Sequence, residues 1–299
     1  MIEDKTLLLP DGRTIAYTRY GDPKGHPIAY CHGLPSSRLE AKLASQVASH
    51  LGIQLIAIDR PGYGRSDPLP PSSMAAWPED LQRVADQLQL ERFSVMGVSG
   101  GGAYALASAW SLGERIDRVL LVCPLGPVFL LHLRKFMSPA ARLAFFLASQ
   151  IPWLLPVFFG NATAHILRRR PQWVISLMEE GLPEKDRQVL EDPATRETFF
   201  ATIREGLRQG SPGALRDFIQ HTRHWGFSPA SINQPVSIWH GSADTVVPVD
   251  HSRHLAQQLP KAELSIVPEE GHYSLPVKHA KPILATCLQE EIGKVGKKG

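Results

Sequence analysis

Short, continuous apolar runs alternate with helical stretches, and this alternation is what most constrains the fold. Four runs, at 27–31, 53–58, 93–98 and 119–123, have the length and composition of buried strands. Between the second and third runs, apolar residues recur at helical spacing and predict a helix over 79–89. Strands that are apolar on both faces and separated by helices predict an α/β fold, in which a parallel sheet is covered by helices on both sides.

The alternation stops at about residue 125 and resumes at 235. The later part predicts strands at 235–241 and 263–268 and helices near 250–259 and 276–291. The first residues, 5–20, predict two short strands around a Pro-Asp-Gly turn.

Residues 126–230 have a different character. They contain no convincing strand, and the Asp-Pro pair at 192–193 and the Ser-Pro pair at 211–212 are typical of helix starts. We therefore predict a core formed by 1–125 and 231–299, with 126–230 as a helical cap above the sheet.

Composition excludes several classes of protein. The chain has 299 residues, of which 43% are apolar and 20% charged, which is typical of a folded globular protein. A formal charge of +3 is far from the dense basic surface of a nucleic-acid-binding protein, so no nucleic acid is expected as a partner. The N-terminal residues lack a secretory signal, and the three cysteines form no paired motif. Buried, reduced thiols and a cytoplasmic location are therefore expected.

The pentapeptide Gly97-Val98-Ser99-Gly100-Gly101 is the strongest chemical motif. It follows an apolar run and precedes a stretch of small residues, which is the context of a sharp strand-to-helix turn. Such a turn presents the serine hydroxyl at the carboxyl edge of the sheet, and a side chain at either outer glycine would collide with it. A phosphate-binding loop fits less well, because the chain has no G-x-x-x-x-G-K-[ST] sequence.

A serine hydroxyl needs a base that takes its proton, and the base needs an acid that orients it. Asp244 and His272 follow the two late strands, in the chain order serine, acid, histidine that this kind of turn predicts. Loops at one edge of a parallel sheet face one crevice, so we predict that Ser99, Asp244 and His272 form a catalytic triad. Glu269 and Glu270, next to the histidine, are the alternative acids.

Acyl transfer also needs donors for the oxyanion. The backbone N–H of Gly100, directly after the nucleophile, is one candidate. The backbone N–H of Leu34 is the other, because the chain turns at Gly33 and Pro35 has no N–H.

Five segments, in this order and spacing, resemble the α/β-hydrolase fold family: HGLPSSR, DRPGYGRSD, GVSGGG, HGSADTVVP and EEGHYS. The resemblance implies a mostly parallel sheet of eight strands, a helical cap inserted after the sixth strand, and no cofactor. Within the family the chain is similar to the carboxylesterase and acyl-carrier-protein ester hydrolase group. Asp59 and Arg60, in the second segment, are interpreted as structural.

These residues predict a serine hydrolase that cleaves carboxylic esters with an apolar acyl part through an acyl-enzyme on Ser99. Lactone, thioester or C–C bond hydrolysis and perhydrolysis use the same triad and stay open as alternatives. A ligand-binding receptor with slow turnover is an alternative of another class.

No metal site is expected. The pairs His221/His224 and His251/His254 have helical spacing, but a zinc site needs three or four ligands and no third partner is apparent. Surface histidines are the preferred interpretation.

The stretch 143–159 is apolar at all but four positions and is interrupted by two prolines. One interpretation is the inner wall of the cap, which would line an apolar acyl pocket. The other is a lid that touches lipid, because basic residues flank the stretch on both sides: Arg134, Lys135, Arg142 and Arg168–Arg170. An anionic lipid surface or an acyl carrier protein would suit such residues, and a solvated charged helix is the simpler alternative. The oligomeric state stays open.

Overall fold

Eight strands form one sheet in the computed structural model, which describes residues 3–70, 73–170, 172 and 181–288. The strand order is β1-β2-β4-β3-β5-β6-β7-β8. The pairs β1/β2 and β2/β4 are antiparallel, and all later pairs are parallel. The predicted eight-stranded, mostly parallel sheet is therefore confirmed. The strands are β1 Glu3–Leu8, β2 Thr14–Gly21, β3 His26–Cys31, β4 Ile53–Ile58, β5 Phe93–Val98, β6 Ile116–Val122, β7 Val236–Gly241 and β8 Ala262–Val267.

Helices in the described part of the chain are numbered in order. They are α1 Ser45–His50, α2 Trp77–Gln87, α3 Gly101–Leu112, α4 Leu131–Arg134, α5 Pro139–Gln150, α6 Leu155–Phe159, α7 Asn161–Arg169, α8 Glu184–Glu191, α9 Pro193–Gly206, α10 Pro212–His221, α11 Asp250–Gln258, α12 Ser274–Lys278 and α13 Ala280–Ala285. Short 3₁₀ helices span Arg38–Ala44, Met74–Ala76, Gly113–Arg115, Pro229–Ser231 and Thr286–Leu288.

Successive residues of each central strand point to opposite sides of the sheet, and each side has its own apolar core. On one side Ile56 and Ile58 pack with apolar residues of α2, α3 and α11. On the other side Leu55 and Ala57 pack with α1 and α13. Burial on both faces is the reason why β4 and β5 are apolar at nearly every position.

The parallel strands bring the ends of β5, β7 and β8 to one edge of the sheet. Neighbouring strands pair in the order β5, β6, β7, β8 with the same direction. Ser99 directly follows β5, Asp244 follows β7, and His272 follows β8. The topology therefore places all three predicted triad residues at the carboxyl edge.

Between β6 and β7 the described residues form the helices α4 to α10 and no strand. The N-cap predicted at Asp192 is present, since its side chain accepts a hydrogen bond from the N–H of Thr195 at 2.8 Å. Ser211 precedes α10 as predicted but does not cap it, because its hydroxyl is 3.0 Å from Oδ1 of Asn161 and donates to it. No helix in the described ranges is long and apolar enough to span a bilayer.

The last predicted helix, 276–291, was placed wrongly. The chain instead forms α12, a break at His279, α13 and a 3₁₀ turn, and residues 289–291 lie outside the described residues. Pro282 is the physical reason, because it has no N–H to donate to the carbonyl of Lys278 in a continuous helix and its ring would clash with that carbonyl.

Candidate active site

Ser99 occupies the sharp turn that the sequence predicts between β5 and α3. Its φ is +53°, which is unfavourable for a residue with a side chain. A Cβ at Gly97 would lie 2.5 Å from the carbonyl oxygen of Gly101, and a Cβ at Gly101 would lie 2.1 Å from that of Cys31. The two outer glycines of the motif are therefore required by close backbone contacts, and the strained turn holds the Ser99 side chain at the sheet edge.

His272 and Asp244 are in direct contact. Nδ1 of His272 lies 2.7 Å from Oδ2 of Asp244, and both side chains are buried. An ionised carboxylate only accepts hydrogen bonds, so the ring donates from Nδ1. This leaves Nε2 of His272 unprotonated in the neutral ring and able to accept a proton.

Three further groups fix the Asp244 carboxylate. Its Oδ1 accepts hydrogen bonds from the N–H groups of Val246 at 2.9 Å and Val247 at 2.8 Å. Nε2 of the buried His240 lies 3.2 Å from Oδ2. Burial by itself would raise the pKa of Asp244, but the nearby His272 and the hydrogen bonds from both histidines lower it well below its ordinary value. Asp244 is therefore ionised at neutral pH.

Opposing effects act on the pKa of His272. Burial by itself would lower its pKa, but the charge of Asp244 and the hydrogen bond to it raise the pKa above the ordinary histidine value. The carboxylates of Asp186 and Glu40 act in the same direction. The site is thus built to stabilise the imidazolium form.

Asp186, in α8, holds the backbone of the histidine loop. Its carboxylate accepts hydrogen bonds from the N–H groups of His272 at 2.9 Å, Tyr273 at 3.1 Å and Ser274 at 2.8 Å. The side chain is fully buried, and these groups include the start of α12, where a negative charge is favourable. The sequence reasoning missed this residue, because an Asp in the charged segment EKDRQVLE has the pattern of a solvent-facing helix residue.

The two proposed oxyanion donors belong to segments that touch. A Cβ at Gly100 would lie 3.1 Å from Cβ and 3.8 Å from N of Leu34. The segment before Leu34 is held by Arg60, whose Nη2 donates to the carbonyl oxygen of Gly33 at 2.8 Å and whose Nη1 lies 2.6 Å from Asp217 in α10. These contacts agree with the structural role predicted for Arg60.

Asp59 is likewise a structural residue. It is fully buried, and its carboxylate accepts hydrogen bonds from the N–H groups of Arg38 at 2.8 Å and Arg65 at 3.0 Å. The Arg38 guanidinium lies 2.6 Å from the same carboxylate.

A cavity of about 170 Å³ lies beside Ser99 and His272. Ser99 and His272 both line it, together with Leu34. The remaining wall is largely apolar, and its residues include Leu43, Met96, Val98, Phe199, Ile203 and Val246. No residue of the stretch 143–159 lines this cavity, so the prediction that the stretch forms the wall of the pocket is not supported at this site.

Glu40 is a buried carboxylic acid in the same cavity wall. It accepts hydrogen bonds from the hydroxyl of Tyr30 at 2.8 Å, from the hydroxyl of Ser36, and from the N–H of Gly33 at 3.2 Å. Burial raises the pKa of Glu40 above its ordinary value, against the lowering effect of these hydrogen bonds. The sequence reasoning also missed this residue, which fixes the loop before Leu34.

Cys123, Asp244 and His272 form the one group of potential metal ligands found among the described residues, with their ligand atoms within 4.8 Å of one another. Burial raises the pKa of the Cys123 thiol well above its ordinary value, and the Asp244 charge adds to this. Both carboxylate oxygens of Asp244 already accept hydrogen bonds. A neutral thiol and an occupied carboxylate fit the hydrogen-bonded pair of Asp244 and His272 better than a metal centre.

The surface interpretation of the paired histidines is wrong for one member of each pair. His221 and His251 are fully buried, and burial lowers the pKa of each to about 4. His221 is at the end of α10, close to Gly100, and His251 accepts a hydrogen bond from the N–H of Gly126 at 3.0 Å. Helical spacing alone does not show which face is covered by distant segments.

The two glutamates considered as alternative acids have other partners. Glu270 lies 3.1 Å from Nζ of Lys185 and 3.3 Å from Nε2 of His279. Glu269 is exposed and lies 3.4 Å from the same lysine.

The sheet order, the turn at Ser99 and the histidine–aspartate pair define a hydrolase scaffold, and the comparisons with known proteins agree. The family model described as alpha/beta hydrolase fold matches residues 26–278, and the chain belongs to that family. An uncharacterized hydrolase of Bacillus subtilis (strain 168), YcgS, is 26% identical over 88% of this chain and 89% of that protein. A poly(3-hydroxyalkanoate) depolymerase of Ectopseudomonas oleovorans is 25% identical over 96% and 93% of the two chains. The solved structure of an esterase from Exiguobacterium antarcticum superposes with a TM-score of 0.67 at 18% identity, covering 96% of this chain and all of that one.

Proposed function

We propose that the protein is a serine hydrolase that cleaves carboxylic esters with an apolar acyl part. One observation carries the proposal: His272 is bound to an ionised Asp244 at 2.7 Å and lines the same apolar cavity as Ser99, whose backbone is held in a strained turn. Two of the similar proteins are named as a depolymerase and an esterase, which supports the proposal that this protein hydrolyses esters.

In the proposed reaction, Nε2 of His272 takes the proton of the Ser99 hydroxyl while the oxygen attacks the ester carbonyl. The backbone N–H groups of Leu34 and Gly100 stabilise the oxyanion, and Asp244 stabilises the imidazolium. The imidazolium then protonates the departing alkoxide, which leaves an acyl-enzyme on Ser99. Water, activated by the same histidine, attacks this ester and releases the acid and the free serine.

The volume of the cavity is the basis for our proposal on the size of the acyl group. A cavity of about 150 Å³ with apolar walls can hold a molecule of the size of benzene. The cavity beside Ser99, about 170 Å³, is similar in volume. We therefore propose short acyl groups as the preferred substrates.

A series of p-nitrophenyl esters of increasing acyl length tests the proposal, with Ser99→Ala as the inactive control. We expect kcat/KM to be highest for acyl chains of about four to six carbons and to fall for chains that exceed the cavity. Turnover of a lactone, a thioester or a C–C substrate with no ester turnover would favour the other triad chemistries. Stoichiometric binding with no turnover of any of them would favour a ligand receptor.

The predicted division of the chain into a core and a cap is part of this proposal. We propose that 126–230 acts as a cap over a core formed by 1–125 and 231–299, with residues 171 and 173–180 lying outside the described ranges. Asp186 and Asp217 support this division, because both reach from the inserted segment to the edge of the core. The cytoplasmic location stays a prediction.

A further inference from the structure

The chain has no acidic residue from 118 to 178. This acid-free segment contains seven Arg and Lys residues, and since the whole chain has a formal charge of +3, the remainder carries −4. The acid-free segment includes α4, α5, α6 and α7. The positive charge of the protein is therefore concentrated in this part of the sequence.

The same segment exposes apolar side chains. Twelve large apolar side chains are exposed among the described residues, and eight of them lie between residues 131 and 166. Trp153 is 76% exposed and Val157 is 70% exposed, next to Phe158. Clusters of this kind on one part of a protein surface mark an interaction site rather than ordinary surface composition.

Helix packing shows why these side chains face solvent. In α5 the buried residues are Ala144, Phe145, Leu147 and Ala148, while Leu143 and Phe146 are exposed. The buried face packs on α10 through a small apolar cluster that includes Phe218. Helix α6 contacts both α5 and α7, so the three helices form a continuous layer, and each of them carries at least one exposed apolar side chain.

Basic residues are exposed at both ends of this layer. Lys135 and Arg142 are exposed and precede Phe146, Trp153 and Phe158 in the sequence, and Arg168, Arg169 and Arg170 follow them at the end of α7. A helix layer with aromatic residues and a basic border has the composition of a surface that lies in the headgroup region of a bilayer. We propose that this layer docks the protein onto an anionic lipid surface.

Charge and exposed apolar surface favour a lipid surface over a second copy of the chain or an acidic carrier protein. A second copy of the chain would bring two basic layers together in a symmetric dimer and would be repelled. An acidic carrier protein would satisfy the basic residues, but its charged surface would offer few apolar partners to the eight exposed apolar side chains between residues 131 and 166. An anionic bilayer can bind both the basic and the apolar side chains, because its headgroups are anionic and its acyl boundary lies a few ångströms below them.

Sedimentation of the full-length protein with vesicles tests the proposal without using enzyme activity. The probes are vesicles of phosphatidylcholine alone and vesicles with one third phosphatidylglycerol. We expect binding to the anionic vesicles that weakens as salt rises above about 0.1 M, because exposed charges are then screened. Arg168, Arg169 and Arg170 changed together to Ser should weaken binding by about tenfold or more. The charge-matched control changes Lys24, Arg83 and Lys261, which are exposed outside the segment, to Ser.

The apolar contribution has its own pair of variants. Trp153→Ser should weaken binding, whereas Trp153→Phe should retain most of it, and both should keep the thermal unfolding midpoint because the side chain is exposed. Equal loss in the charge-matched control, or no sedimentation with the anionic vesicles, would overturn the proposal. Binding to an acidic acyl carrier protein with no binding to vesicles, or a concentration-dependent dimer that Trp153→Ser dissolves, would replace the lipid surface by that partner. None of these outcomes depends on the ester hydrolysis proposed above.

Discussion

The carboxylate of Asp186 accepts a hydrogen bond from the backbone N–H of His272 at 2.9 Å, across 86 residues of sequence. It binds two further N–H groups of the same loop, so one side chain of the segment between β6 and β7 determines where the histidine backbone lies. The orientation of the proposed base therefore depends on the insertion being packed in place.

Asp186→Asn should lower kcat by about 10²-fold, since a displacement of about 1 Å at a reacting group has an effect of this size. The amide also removes a negative charge that raises the pKa of His272, so the pH profile should shift to lower pH. Glu191→Gln is the matched control, because it makes the same chemical change at an exposed position of α8. A loss of stability with an unchanged pH profile would show a purely structural role. The measurements are kcat, KM and the pH dependence of kcat/KM.

Ser99→Ala should lower kcat by about 10⁴- to 10⁶-fold, because only the oxyanion donors and substrate binding remain. Ser99→Gly should be equally inactive but more stable than Ser99→Ala by about 0.5–1 kcal/mol, since glycine tolerates the positive φ of this turn. Steady-state kinetics and denaturant unfolding measure the two effects. Substantial activity in either variant would contradict the assignment of the nucleophile.

Asp244→Asn should lower kcat by about 10³- to 10⁴-fold, because the histidine loses the acceptor that fixes its tautomer and stabilises its cation. Glu269→Gln tests the alternative acid and should be nearly silent, since Glu269 is exposed and paired with Lys185. If Glu269→Gln or Glu270→Gln abolished turnover while Asp244→Asn did not, the acid would have to be reassigned.

The rate should rise with pH as His272 loses its proton, because only the neutral ring accepts the proton of Ser99. Since Asp244 raises the pKa of His272, the midpoint should lie above the ordinary histidine value of about 6.5. kcat/KM measured on a neutral ester between pH 5 and 9 gives the midpoint, and a midpoint below about 6 would contradict the geometry.

Local patterns were sufficient for the strands, for the turn at Ser99 and for the chain order of the three proposed triad residues. Burial on both faces requires continuous apolar runs, and the turn requires small residues at Gly97 and Gly101. The buried strands and the turn can therefore be recognised in the sequence. The parallel topology then places Asp244 and His272 at one edge without further information.

Contacts made by distant segments were decided only by the tertiary structure. Asp186 has the local pattern of a solvent-facing residue, and the sequence places His221 on the surface, yet both are buried against chain segments that are far away in sequence. The apolar stretch 143–159 shows the opposite difference. Its hydrophobicity predicts a buried inner wall, but several of its largest side chains face solvent. Periodicity records which residues share a face of a helix or strand, but the partner that covers that face is set by how the elements pack.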